Sequence, residues 1–216
     1  MGSSKSQEQT IGYKYFLGIH KILCHGPVDK ITKFFVGERT AHEQEITYTP
    51  GQSIVNVDIN SPELFGGEKK EGGVQGSLDV MFGASDQIQN SYLQSQLGTN
   101  IPAFRGVVSL VVKQMYLSAM SPYPKSWWAE VVNTSFGGWY SEKSNVISGG
   151  TDGSANGAHI IREAFVNQDW GMGYPITQPD DTTCREVADT LYDENFGLSL
   201  LLSGEGSAND VKQEVL

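Results

Sequence analysis

Val74-Gln75-Gly76-Ser77-Leu78-Asp79-Val80-Met81-Phe82 sets Val74, Gly76, Leu78, Val80 and Phe82 against Gln75, Ser77, Asp79 and Met81. Successive strand side chains point to opposite faces, so this period of two predicts a β-strand. The stretch upstream repeats it: Ser53 to Ile59 opposes Ile54, Asn56 and Asp58 to Val55, Val57 and Ile59. Downstream, Phe104 to Leu117 is long, apolar and rich in β-branched residues, which predicts a central strand buried on both faces. Towards the N-terminus, Tyr13, Tyr15 and Leu17 alternate with Lys14, Phe16 and Gly18, and Ile19 to Leu23 continues the strand. Val28 to Val36 and Trp127 to Phe136 supply two more, with turns expected at Gly26-Pro27 and Gly37-Glu38. Asp86 to Leu97 is the exception, a short helix. Strands joined by Gly/Pro turns, with no amphipathic helix between most of them, predict an antiparallel β-barrel or sandwich over residues 11–136.

A second pattern follows. Residues 137–157 are rich in Gly, Ser and Asn and read as a linker or exposed loop. From Ala158 to Trp170, Ile160, Ile161, Ala164 and Phe165 share one helical face. Asp180 or Asp181 caps a second helix bearing Cys184, Val187, Ala188, Leu191 and Tyr192. Gly197 is placed to end that helix, Leu198 to Leu202 reads as a short strand, and Ser207 with Asp210 resembles a capping box for a third helix. Residues 158–216 are thus expected to form a small α+β domain, incomplete because the third helix has barely begun. Met1 to Thr10 is polar and reads as an arm, not a signal peptide.

Composition narrows the function classes. The 216 residues carry 38% hydrophobic and 19% charged side chains, a folded composition. The formal net charge of -10, with no Lys/Arg cluster to offset it, disfavours stable nucleic-acid binding. The longest apolar run, Val107 to Val112, stops at Lys113 and is far short of a membrane span. Cys24 and Cys184 each lie within an apolar pattern and need no disulfide.

No arrangement of residues carries recognisable chemistry. Cys24 and His25 are adjacent on a strand, so their side chains diverge and cannot form a direct nucleophile–base pair. His20, Cys24 and His25 lack a second paired ligand group for zinc. Gly66-Gly67-Glu68-Lys69-Lys70-Glu71-Gly72-Gly73 lacks phosphate-loop spacing and precedes a strand; it reads as a solvated hairpin tip or inter-subunit contact loop. Asp180-Asp181 fits a helix start, and Asp193-Glu194 lies on the solvated side near a helix end. Tyr123, Trp127, Trp128 and Trp139-Tyr140 suit either a sugar-binding groove or core and interface anchors. No catalytic residue, metal ligand or cofactor site is expected, and the role expected is not enzymatic.

Several strings resemble tail-tip hub proteins of long-tailed bacteriophages. They are Gly12-Tyr13-Lys14-Tyr15-Phe16-Leu17-Gly18-Ile19-His20 with Leu23-Cys24-His25-Gly26-Pro27-Val28-Asp29, and Leu64-Phe65-Gly66-Gly67-Glu68-Lys69-Lys70-Glu71-Gly72-Gly73-Val74-Gln75-Gly76. Pro102-Ala103-Phe104-Arg105-Gly106-Val107-Val108, Trp170-Gly171-Met172-Gly173-Tyr174, Ala188-Asp189-Thr190-Leu191-Tyr192 and Phe196-Gly197-Leu198-Ser199 follow in the same order. The resemblance implies a tail-tube-like β-barrel hub domain in a homotrimer at the distal end of the virion tail. It implies contacts with the distal tail protein, the tape-measure protein and tail fibres or receptor-binding proteins, with DNA only passing through. Subunit-interface candidates, from these strings and from loop and aromatic chemistry, are Phe65, Gly66, Gly67, Glu68, Lys69, Lys70, Glu71, Gly72, Gly73, Arg105, Trp127 and Trp128. The family's longer members continue past Leu216.

Overall fold

The computed structural model describes residues 13–135, 138–146 and 153–201, and the chain divides into two compact units, residues 1–131 and 132–216. The first unit is almost wholly β. Strand β1 (Lys14–His25), β2 (Lys30–Val36), β3 (Arg39–His42), β4 (Ile46–Thr47), β5 (Ile54–Ser61) and β6 (Val74–Met81) precede helix α1 (Ser91–Leu97). Strands β7 (Val107–Ala119) and β8 (Trp127–Val132) follow it.

Two antiparallel sheets result. In the larger, the order is β1-β7-β6-β5, and β5 and β6 pair without a slip from Ile54↔Met81 to Ser61↔Val74. In the smaller, β2 pairs with β3, β4 and β8. The sheets share one core, in which Ile31, Phe34, Val36 and Trp127 meet Val57, Ile59, Leu78, Val80, Leu110, Val112, Met115 and Leu117. Among the described residues the sheets are not closed into one barrel.

The alternation that predicts β6 puts Val74, Leu78, Val80 and Phe82 into this core and turns Asp79 and Met81 to the opposite face. In β7 the core set runs Val108, Leu110, Val112, then Met115 and Leu117. The phase changes because a bulge intervenes: Gln114 sits at φ 46 opposite Gly76, where the β6–β7 register shifts. Val111 therefore faces away and packs with Met81 and Leu93 of α1, so the centre of β7 is buried on both faces.

Helix α1 is held there by polar contacts. Asn90 caps it by accepting from the Leu93 N–H at 3.0 Å, and the same side chain donates to Asp79 Oδ2 at 2.7 Å. Asp79 also accepts from Asn56 at 2.9 Å and pairs with Lys113 Nζ at 2.5 Å. A carboxylate 5% exposed is thus fully partnered, which offsets much of the cost of burying its charge.

In the second unit, β9 (Asn145–Val146), β10 (Ser154–Asn156) and β11 (Gly197–Leu198) form a small sheet, with helices α2 (Gly157–Val166) and α3 (Asp181–Asp193) beside it. The stretch read as a linker thus contributes a 3₁₀ turn at Ser141–Lys143 and two strands. Asp180 caps α3 through the Thr183 N–H. Gly197 does not end α3 but lies in β11. Asn195, at φ 54, takes the left-handed position, with Asn195 N–H donating to Tyr192 C=O and Phe196 N–H to Leu191 C=O. Asn tolerates that conformation because its short polar side chain bonds locally. The expected third helix at Ser207 lies outside the described residues.

Candidate functional site

The loop between β5 and β6 contains most of the sequence-derived interface candidates. Gly67 and Gly72 exchange backbone hydrogen bonds of 3.1 and 2.8 Å, closing a tight hairpin over Glu68-Lys69-Lys70-Glu71. Its base is wedged between backbones. Gly72 has φ 89, and a side chain there would meet the Ala119 nitrogen at 2.5 Å; Gly73 lies against the Pro62 carbonyl. Only glycine fits such a close approach.

The acidic charges of this hairpin are bonded within the chain. Glu68 pairs with Lys14, and Glu71 pairs with Lys125 Nζ at 2.5 Å. The lysine holds the Glu71 carboxyl below the usual range. Phe65 carries Lys125 at 4.7 Å and Arg39 at 5.7 Å from its ring centre, and Arg39 donates to the Leu64 carbonyl at 2.6 Å. The hairpin therefore lies on its own domain, with Lys69 and Lys70 at its exposed tip.

The other candidates do not converge on it. Arg105 is exposed and donates through Nε to the Gln87 carbonyl at 3.0 Å. Trp127 is a core residue whose indole N–H is buried without a partner. Trp128, next to it on β8, is 61% exposed. Period two explains the difference, since neighbours on a strand face opposite sides. Tyr123 is 81% exposed.

The edges of the larger sheet are a feature the motifs did not indicate. β1 and β5 are its outer strands, and among the described residues no strand pairs with the outer edge of either. β1 is twelve residues long, contains no proline, and exposes Phe16 and Ile22. A long apolar edge of this kind is an adhesive surface. Lys14 on this strand pairs with Glu68, and Glu45, in the shallow groove beside β5, pairs with Lys30 at 2.8 Å.

The nucleophile and metal candidates remain separate in space or inert in character. Burial raises the Cys24 thiol, the reverse of an activated nucleophile. His20 bonds Ser109 at 3.1 Å and packs edge-on to Phe104. Among the described residues no group of three His, Cys, Asp or Glu side chains is placed to hold a metal ion, and no helix is long and apolar enough to cross a membrane.

The densest cluster of polar and aromatic side chains lies in the second unit. Trp139 Nε1 donates to Asp181 Oδ1 at 2.6 Å, and Arg185 Nε donates to Asp181 Oδ2 at 2.7 Å. Tyr140 donates to Asp189 at 2.5 Å, with Arg185 4.5 Å from its ring centre. His159, 1% exposed, has Nε2 3.1 Å from the Tyr140 carbonyl and packs on Trp139 at 4.6 Å. Burial holds its imidazole below the usual value, opposed by its backbone hydrogen bonds. Sequence reading noticed Trp139-Tyr140 but had no signal for the residues 20 to 50 positions away that pack on them. No protein-family model matches the chain, and no curated protein matches it by sequence.

Proposed function

We propose that this chain is a structural subunit of a bacteriophage tail tip: the hub that closes the distal end of the tail tube as a homotrimer. The observation that carries the reading is the four-stranded antiparallel sheet with two open edges, one of them long and apolar. Such edges are stable when a symmetric ring pairs or covers them. The tube-like barrel implied by the sequence strings would then be completed between subunits, not within one chain. The net charge of -10 suits a lumen through which DNA passes without adhering. In this reading the hub contacts the distal tail protein, the tape measure and the fibres, and opens by a shift between conformations rather than by catalysis.

Light scattering coupled to size exclusion tests the proposal on the chain alone and with the distal tail protein added. A trimer in either condition is expected. A monomer in both refutes the hub assignment.

A second reading, a carbohydrate-binding module of the tail tip, is favoured by the exposure of Tyr123 and Trp128. Aromatic platforms of this kind stack on sugar rings. Binding of host surface glycans, lost in Trp128→Ala with the trimer intact, would select it.

A further inference from the structure

We propose that the second unit holds a carboxylate-binding site built on Arg162, with Trp139 as its platform. This inference stands apart from the tail-hub reading. Arg162 projects from α2 and is only 7% exposed. Its guanidinium carbon lies 4.6 Å from the centre of the Trp139 ring, a stacked contact. A guanidinium offers five N–H donors and no acceptor. Among the described residues none of them donates a hydrogen bond and no carboxylate lies within ion-pair distance; the residue contacts Trp139 and acts on Asp181 through its charge alone. The 7% exposure that remains is a narrow opening to solvent.

Nearby carboxylates already accept hydrogen bonds from other groups. Asp181 spends one oxygen on Trp139 Nε1 and the other on Arg185 Nε. Asp189 takes the Tyr140 hydroxyl and faces Lys143 at 3.9 Å. The platform is rigid, because Trp139 is fixed by Asp181 at its N–H, by His159 on its ring and by Arg185 at 5.7 Å. A buried, pre-oriented guanidinium with free donors can take an acceptor from outside the chain. A planar two-oxygen group matches its fork.

Charge chooses the class of acceptor. The cluster contains Arg162, Arg185 and Lys143 against Asp181, Asp189 and Asp193, with Asp180 capping the same helix. These carboxylates repel a phosphate dianion more strongly than a single carboxylate. The ligand is therefore a monocarboxylate, presented either by a small free acid or by an acidic side chain of a polypeptide.

The test is a titration of the full chain, labelled with ¹⁵N and followed at the Arg162 Nε–Hε and Trp139 Nε1–Hε1 resonances. Separate arms use sodium acetate, inorganic phosphate, sodium chloride at matched ionic strength, and a blocked peptide containing a single Glu. Saturable shifts of both resonances with acetate are expected, half-complete on the order of 10 mM as for a single bidentate charged pair. Chloride should give no saturable change. A peptide at least tenfold tighter than acetate identifies a polypeptide source; equal affinity identifies a small acid. Either result upholds the site. Shifts that do not saturate, or that chloride reproduces, overturn it, and tighter binding of phosphate overturns the choice of ligand. Arg162→Gln should abolish saturation. If that variant loses its circular dichroism, Arg162→Lys keeps the charge without the fork and should weaken acetate at least tenfold. Unchanged binding in Arg162→Lys overturns the bidentate geometry.

Discussion

Phe16→Ser/Ile22→Ser removes the apolar part of the β1 edge while leaving its backbone donors and acceptors in place. The two side chains are 56% and 60% exposed in the isolated chain. Covering the exposed half of a phenylalanine removes on the order of 100 Å² from water, worth about 2.5 kcal/mol at roughly 25 cal/mol/Å². Ile22 adds about 1.5 kcal/mol on the same scale. Ordering the two side chains costs about 0.5–1.5 kcal/mol each, leaving roughly 1–3 kcal/mol per interface. That corresponds to about a 5- to 150-fold weaker contact, and a closed trimer repeats the loss at each of its three interfaces. The fold itself should survive, since its main intrachain loss is the Phe16–Tyr116 ring contact at 5.8 Å, about 0.5–1.5 kcal/mol. Sedimentation velocity over a concentration series, with thermal melts as a control, measures both quantities. A double variant that assembles at the same concentrations as the parent refutes the edge-strand argument, whatever the oligomer turns out to be.

The polar clamp beneath α1 predicts that Asp79→Ala costs about 3 kcal/mol, because it strands Lys113, Asn56 and Asn90 together. Urea unfolding of that variant and of Asp79→Ala/Lys113→Met measures the coupling; a loss under about 1 kcal/mol would contradict the burial argument. Gly72→Ala combines a positive φ with a backbone clash, so it should cost about 2–3 kcal/mol, against about 1 kcal/mol for Gly51→Ala, where the space is open. Equal melting temperatures for the two variants would deny the close approach. Burial holds His20, His42 and His159 below the ordinary imidazole value of 6.5. The unfolded chain therefore binds more protons as pH falls through that value, so stability is retained above pH 6.5 and declines below it. A melting temperature at pH 5.5 equal to or above that at pH 7.5 would contradict this.

The sequence by itself determined the long strands of the larger sheet. Period-two patterns at 54–59 and 74–82 and the long apolar run ending at Leu117 became β5, β6 and β7, because burying one face of a pleat demands that alternation. It also located both long helices of the second unit, through i, i+3, i+4 spacing and the Asp180 cap. Short or atypical signals were not legible. β3, β4 and β9 have too few residues for any period. Asn195 displaced the more obvious Gly197 as the end of α3, since chain geometry required the left-handed residue two positions earlier. Gln87, fully buried and bonding Gly83, Ala103 and Phe104, looks in sequence like any surface glutamine.

Only the tertiary structure decided where the candidates sit. It sent Trp127 into the core and left Trp128 outside, folded the glycine hairpin onto its own domain, and left two edges of the larger sheet without a partner strand among the described residues. It also brought Trp139, His159, Arg162 and Arg185 together from separate segments. Local pattern records which face of an element is buried. Which buried faces meet, and which charges remain unpaired once they do, follows only from packing between residues distant in the chain.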